Sequence, residues 1–168
     1  ELCGKIICLA RSKKTLSAKK RVRSALFYYA EEDFSEEYGH KWEVVEGDIT
    51  QPGLFLQGDT ALNAADPKVR TGRIDTIINS AANVAHFSYG NALEKINTDG
   101  VKNLIRYALH ENAMLCQIST ISVAGMTAGN ALQESFSEAD FYIGQEIQNK
   151  YIYSKYMAEY ALLRAAVD

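Results

Sequence analysis

The chain has 168 residues, 47% of them apolar and 23% charged, with a formal net charge of -3. Such a composition belongs to an ordinary globular protein with enough chain for one sizeable core, so a single domain is expected. The acidic balance argues against a nucleic-acid platform, and no apolar run is long enough to cross a bilayer or to serve as a recognisable signal peptide, so the expected setting is cytoplasmic with no membrane partner.

Lys5 to Ala10 is a short apolar run of the length of a strand covered on both faces in a parallel sheet, and it ends at Arg11. A helical pattern follows from Ser17 to Ala30, with Ala18, Val22, Ala25 or Leu26, and Tyr29 spaced for one buried stripe. Arg11, Lys13, Lys14, Lys19, Lys20, Arg21 and Arg23 make this beginning basic, and most of the lysines are expected on a solvated face. Glu31 to Glu37 reads as an acidic loop. Lys41 to Glu46 is a second strand running into Gly47-Asp48-Ile49-Thr50, which on spacing alone is a plain turn. Residues 51–73 carry Pro52, Gly53, Gly58, Pro67 and Gly72 and predict a loop with a short helix around Thr60 to Ala65.

Asp75 to Asn79 is a third strand, followed by Ser80-Ala81-Ala82-Asn83, small residues that let a flat ligand lie close to the backbone. From Tyr89 to His110 two apolar stripes, Leu93, Ile96, Leu104, Ala108 and Val101, Ile105, Leu109, predict a helix sandwiched between neighbours. Met114 to Ser119 is the fourth strand. Residues 124–149 are a loop long enough to act as a substrate lid. The last helix, Lys150 to Val167, is expected to bury Ile152, Tyr156, Leu163 and Val167. Cys3, Cys8 and Cys116 sit in or beside strand-like runs without C-x-x-C spacing and are expected to be reduced core residues. His40, His86 and His110 lack metal-ligand spacing, so no metal is expected.

Strands alternating with helices predict an α/β fold with a doubly wound parallel sheet. Within it, Tyr151 and Lys155 are four apart on a helix and share one face. A phenol has an ordinary pKa of about 10, and a neighbouring ammonium favours the phenolate, so the pair makes a proton donor tuned toward neutrality. Thr120, at a strand end, supplies a hydroxyl for the same oxygen. This Thr, Tyr-x-x-x-Lys set resembles the catalytic triad of the extended short-chain dehydrogenases/reductases. At the tip of the second strand of a dinucleotide fold an acidic residue suits NAD, whereas an arginine accommodates a 2′-phosphate; Arg11 there favours NADP. No G-x-G-x-x-G or G-x-x-G-x-x-G turn is present, and the chain opens at what reads as strand two. The expectation is a Rossmann-like sheet lacking its first strand with the glycine-rich turn and the C-terminal substrate subdomain. Residues 1–168 would then be a partial NADP-binding reductase domain from a longer chain, unstable alone or filling its gap by association.

The resemblance narrows to the thioester reductase domains of nonribosomal peptide and polyketide synthetases, related to carboxylic acid reductases. It is carried by Ile7-Cys8-Leu9-Ala10-Arg11, Ala18 to Val22, Glu46-Gly47-Asp48-Ile49, Asp75 to Ala82, Asn97-Thr98-Asp99-Gly100, Ser119 to Val123, Phe136 to Gln145 and Tyr151 to Glu159. It implies that Arg11 and Arg21 hold the NADP 2′-phosphate and that Asp48 and Ile49 border the adenine, in place of the plain turn. Ala81, Ala82 and Asn83 would line the ribose and nicotinamide side, and Ser119 would approach the nicotinamide. Thr120, Tyr151 and Lys155 would form the triad, Tyr151 and Lys155 also touching the cofactor, and Asn97 would be structural.

The activity implied is NADPH-dependent reduction of an acyl or peptidyl thioester on the phosphopantetheine arm of a carrier protein, releasing an aldehyde or, after a second round, an alcohol. The rivals are a fatty acyl-CoA reductase, an extended-type nucleotide-sugar epimerase or dehydratase, and a non-enzymatic NADP-binding sensor. Arg11 and Arg21 speak against the sugar-nucleotide enzymes, which usually retain NAD. A sensor has no reason to keep Thr120, Tyr151 and Lys155 together.

Overall fold

The computed structural model describes residues 4–31, 38–55, 74–85, 90–127, 136–137 and 139–167. They fall into two compact units, 1–73 and 74–168.

In the first unit, strand β1 (Ile6–Ala10) lies parallel to β2 (Trp42–Glu46), in register from Ile6 opposite Trp42 to Ala10 opposite Glu46. Helix α1 (Ala18–Ala30) makes the crossover. Its start is set by Ser17, whose hydroxyl accepts from the Lys20 amide at 3.3 Å. Its end is set by Glu31 in the left-handed region, with an amide that donates to Phe27 O. The expected stripe is covered only at its beginning. Ala18 is buried and Val22 half-buried, while Leu26 is exposed and Tyr29 is 84% exposed. From Arg23 to Tyr29 every residue of α1 is exposed. β1 is likewise half-covered rather than covered on both faces. Beyond β2 the chain turns through Pro52–Phe55, with Leu54 buried. The short helix expected around Thr60 to Ala65 and Cys3 lie outside the described residues. Cys8 is a half-buried free thiol, and burial pushes its pKa up.

In the second unit, β3 (Thr76–Asn79) and β4 (Met114–Gln117) are parallel, Thr76 opposite Met114 and Asn79 opposite Gln117. The connecting helix is α2 (Ala92–Glu94), one wider π turn (Lys95–Asp99) and α3 (Gly100–Glu111), closed by Asn112 in the left-handed region. Helix α4 (Lys150–Val167) packs on it through Val101, Ile105 and Ala158, with Leu115, Ala161, Leu162 and Ala165 around them. The buried face of α4 is therefore Ser154, Lys155 and Ala158 with its small continuation, not the large residues its periodicity suggested: Leu163 is 48% and Val167 87% exposed. Leu109 also faces out, so α3 is covered mainly along Val101, Leu104, Ile105 and Ala108.

The stretch expected as a lid is partly built. After β4 comes a single turn, Ile121–Ala124, and an antiparallel ribbon of β5 (Met126–Thr127) and β6 (Gln145–Glu146). The pairs β1–β2 and β3–β4 are thus each parallel with a helical crossover, the α/β arrangement expected from the alternating pattern. Among the described residues no helix is long and apolar enough to cross a membrane, and no cluster of ligating side chains could hold a metal ion.

Candidate active site

All three predicted catalytic residues lie in the second unit, Thr120 just past β4 and Tyr151 and Lys155 on α4, and the Lys155 ammonium reaches the segment that follows β4. Asn149 starts α4 by accepting from the amides of Tyr151 (2.8 Å) and Ile152 (3.2 Å), which fixes the first turn and places Tyr151 on it. Lys155, one turn on, is 4% exposed and donates from Nζ to Ile118 O at 2.5 Å. Ile118 lies two residues before Thr120, so the ammonium is tied to the segment that carries the predicted hydroxyl. Burial pushes the Lys155 pKa below its ordinary value, and the Glu159 carboxylate opposes that fall. Thr120 starts the turn at Ile121–Ala124, its Oγ1 accepting from the Ser122 amide at 3.3 Å. That bond uses an oxygen lone pair and leaves the hydroxyl hydrogen to donate elsewhere. Ser119, expected to approach a nicotinamide, donates its hydroxyl to Glu159.

A chain of amides supports this end of the sheet. Asn79 Nδ2 donates to Gln117 Oε1 at 2.7 Å, and Gln117 Nε2 donates to Ile118 O at 2.8 Å. Both lone pairs of the Ile118 carbonyl are thereby used, one by Gln117 and one by Lys155. Past β3, Ala81 is exposed with its amide on Asn79 Oδ1, Ala82 is half-buried, and Asn83 is doubly bound by Asn97. Asn97 Oδ1 accepts from the Asn83 amide at 2.7 Å, and its Nδ2 donates to Asn83 O and to Ser154 Oγ, each at 2.9 Å. Ser154 Oγ in turn donates to Tyr151 O at 2.7 Å. Asn97 is thus structural, as expected, but its partners are the predicted cofactor-lining strand end and the catalytic helix. The π turn brings it there, a feature often found at functional sites.

The lid segment is pinned beside this end. Gln145 is buried, with Oε1 accepting from Ile143 N (2.8 Å) and Nε2 donating to Phe141 O (2.9 Å) and Val123 O (3.3 Å). Phe141 stacks on Tyr156 of α4 with ring centroids 4.4 Å apart. The amide of Gln145 and the ring of Phe141 gave no sign of these tasks in the sequence, where a buried clamp and a solvated loop residue read alike.

In the first unit, Arg11 ends β1 with its guanidinium 3.4 Å from the Asp48 carboxylate, and Arg21 on α1 donates to Arg11 O. Burial would raise the Asp48 pKa, but the Thr50 amide (2.9 Å) and hydroxyl and the Arg11 charge outweigh it and hold the carboxyl below its ordinary value. Ile49 is half-buried beside it. The Arg11 side chain remains 56% exposed, so its guanidinium and the Arg21 side chain bound to its carbonyl leave donors that fit a ribose phosphate at the strand tip.

The NAD-binding family described as male sterility protein matches residues 1–168. A thiolation-reductase di-domain from an archaeal non-ribosomal peptide synthetase is 34% identical, with a TM-score of 0.79 over 99% of this chain and 42% of its own. Fatty acyl-CoA reductase 2, chloroplastic, of Arabidopsis thaliana is 33% identical over 98 residues, 57% of this chain and 15% of its own length. Trichosetin synthetase PKS-NRPS1 of Gibberella fujikuroi is 35% identical over 77 residues, 46% of this chain and 2% of its own. The chain therefore spans less than half the length of each of these relatives.

Proposed function

The chain belongs to the NAD-binding male sterility protein family, and we propose that it is part of an NADPH-dependent reductase that releases a carrier-bound acyl or peptidyl thioester as an aldehyde or alcohol. Its relatives include reductase domains of peptide synthetases and an acyl-CoA reductase, so a Rossmann-like reductase is the coarse identity. The observation that carries the finer reading is the tie between Lys155 Nζ and Ile118 O, which joins the helix bearing Tyr151 to the segment bearing Thr120.

NADPH, when bound, supplies the hydride. Thr120 donates its free hydroxyl hydrogen to the thioester carbonyl oxygen, where negative charge develops. Tyr151 donates a hydrogen bond to the same oxygen and then its proton. Lys155 favours the phenolate that remains and has two further N–H donors for the nicotinamide ribose. Ala81, Ala82, Asn83 and Ser119 line that end, while Arg11 and Arg21 take the 2′-phosphate and Asp48 and Ile49 the adenine side. Breaking the carbon–sulfur bond of the reduced centre leaves an aldehyde and frees the phosphopantetheine thiol, which stays attached to the carrier protein. Residues 1–168 serve as part of the NADP-binding reductase domain of a longer, cytoplasmic enzyme.

The test is NADPH oxidation by the full-length protein, with the acyl group offered on its carrier and, separately, on coenzyme A. Carrier-dependent oxidation with a trapped aldehyde or alcohol is expected; oxidation with acyl-CoA alone would move the reading to the fatty acyl-CoA reductases. Tyr151→Phe is expected to lower turnover by about 10²-fold or more while leaving NADPH affinity within a few-fold. Unchanged turnover would overturn the assignment.

A further inference from the structure

We propose that Glu159 is a positioning residue of this site, whose carboxylate anchors the Ser119–Thr120 end of β4 to α4 and supplies the counter-charge of the buried Lys155 ammonium. The proposal rests on the roles given above to Lys155 and Thr120.

Tyr151, Lys155 and Glu159 follow one another at intervals of four and form one stripe along α4. Two consecutive residues past β4 are held by that stripe: Ile118 O by the Lys155 ammonium at 2.5 Å, and the Ser119 hydroxyl by Glu159 Oε1. The next residue is Thr120. Two grips one helical turn apart fix both the position and the direction of the chain entering it, which a single grip would not. The second grip also stands independently of Lys155, whose remaining donors are wanted by the cofactor.

The charge is needed for a separate reason. Lys155 is among the most buried side chains of the unit, and its direct partner is a neutral carbonyl. A buried ammonium facing only neutral acceptors tends to give up its proton. Glu159 is the charge that acts against this. On the segments packed against α4, Glu94, Lys95, Asp99, Lys102, Arg106 and His110 lie at the surface, and Asp99 pairs with Lys102 at 3.3 Å; Glu111, at the far end of α3, is buried, but the charge that acts on Lys155 is that of Glu159. Tyr151 shares the stripe, and Tyr156 feels Glu159 from the neighbouring face.

Charge and anchor separate by substitution in the full-length protein. Glu159→Gln keeps an acceptor for Ser119 and removes the charge; Ser119→Ala keeps the charge and removes the anchor. With Glu159→Gln, the alkaline limb of the kcat profile is expected to move to lower pH by about one unit, because Lys155 loses its proton sooner. With Ser119→Ala, kcat is expected to fall at every pH with the limb in place. Glu159→Asp keeps the charge but withdraws the acceptor by one methylene, so it should behave as Ser119→Ala does; it carries the test should Glu159→Gln not fold. A Glu159→Gln limb at the wild-type position, or a Glu159→Asp limb displaced downward, overturns the proposal. Tyr151→Phe run alongside keeps the two readings apart. Wild-type turnover in that variant would remove the reductase assignment itself, whereas an inactive Tyr151→Phe with an unmoved Glu159→Gln limb removes only the role of Glu159.

Discussion

Asn97 offers the sharpest test of how the second unit is wired, because one buried carboxamide makes three hydrogen bonds to two segments. It is 1% exposed. Replacing it by Ala removes all three bonds and leaves the Asn83 amide and carbonyl without their partner. At about 1 kcal/mol for each of the three lost bonds, the expected loss is about 3 kcal/mol. Asn97→Asp has the same shape and separates donors from acceptor. It still accepts from the Asn83 amide, but its second oxygen then faces Asn83 O and a Ser154 oxygen whose hydrogen is already committed to Tyr151 O. Protonation relieves that repulsion, so the folded-state pKa of the new carboxyl should rise above the unfolded value of about 3.9. The folded state then binds the extra proton, and the variant loses stability as pH rises from the unfolded pKa to the folded one, by about 1.4 kcal/mol for each unit of elevation. Denaturant melts of the full-length variant at pH 5 and pH 8, each referred to wild type, measure this. Equal stability of Asn97→Asp and wild type at pH 8 would refute the hydrogen-bond assignment, as would a penalty that shrinks with rising pH.

Gly125 has φ near +65° and ψ near −155°, and a Cβ there would meet Glu146 O at 2.7 Å. Gly125→Ala should cost about 1–3 kcal/mol through backbone strain, beyond the contact with β6. The loss should appear as faster hydrogen exchange at Met126–Thr127 and Gln145–Glu146, with α3 unaffected; unchanged exchange in the ribbon would contradict it. Arg11→Ala should weaken NADPH binding by about 10- to 100-fold, on the scale of a charge-assisted hydrogen bond, and leave NADH binding nearly as it was. Equal losses for the two nucleotides, read by titration of nicotinamide fluorescence, would show that Arg11 does not meet the 2′-phosphate.

Local signals carried far in this chain. Short apolar runs between small or charged residues marked all four parallel strands to within two residues, because a buried strand has few ways to be written. In the structure Ser17 and Asn149 start helices for an equally local reason, an oxygen placed to accept the first free amides. The buried face of α4 was legible only in outline. Hydrophobic periodicity gives weight to large residues, and Ile152, Tyr156, Leu163 and Val167 drew the stripe to themselves. Close packing against α3 selects small ones instead, and Ala158, Ala161 and Ala165 are what allow the helices to meet. The same closeness buries Lys155, which no periodicity announces. Tyr-x-x-x-Lys placed Tyr151 and Lys155 on one face of one helix, yet the tasks of Asn97, Gln145 and Glu159 depend on partners 14 to 57 positions away in the chain. No window on the sequence holds both ends of such a bond.

The polar side chains of the second unit divide by what they hold. Asn97, Gln145 and Glu159 spend their hydrogen bonds on backbone groups and on the hydroxyls of Ser154 and Ser119. Thr120 accepts one bond and keeps its hydrogen. This division suits a site that must stabilise charge only as it develops. A donor already committed to a protein acceptor would have to break that bond before serving the substrate, and the cost would fall on the reacting state. Residues that hold the backbone can be fully satisfied without such a cost. Lys155 bonds Ile118 O and, because an ammonium carries three donors, has two more for the role proposed for it. The cost of burying it is offset locally, by the carbonyl it touches and by the Glu159 carboxylate one turn away.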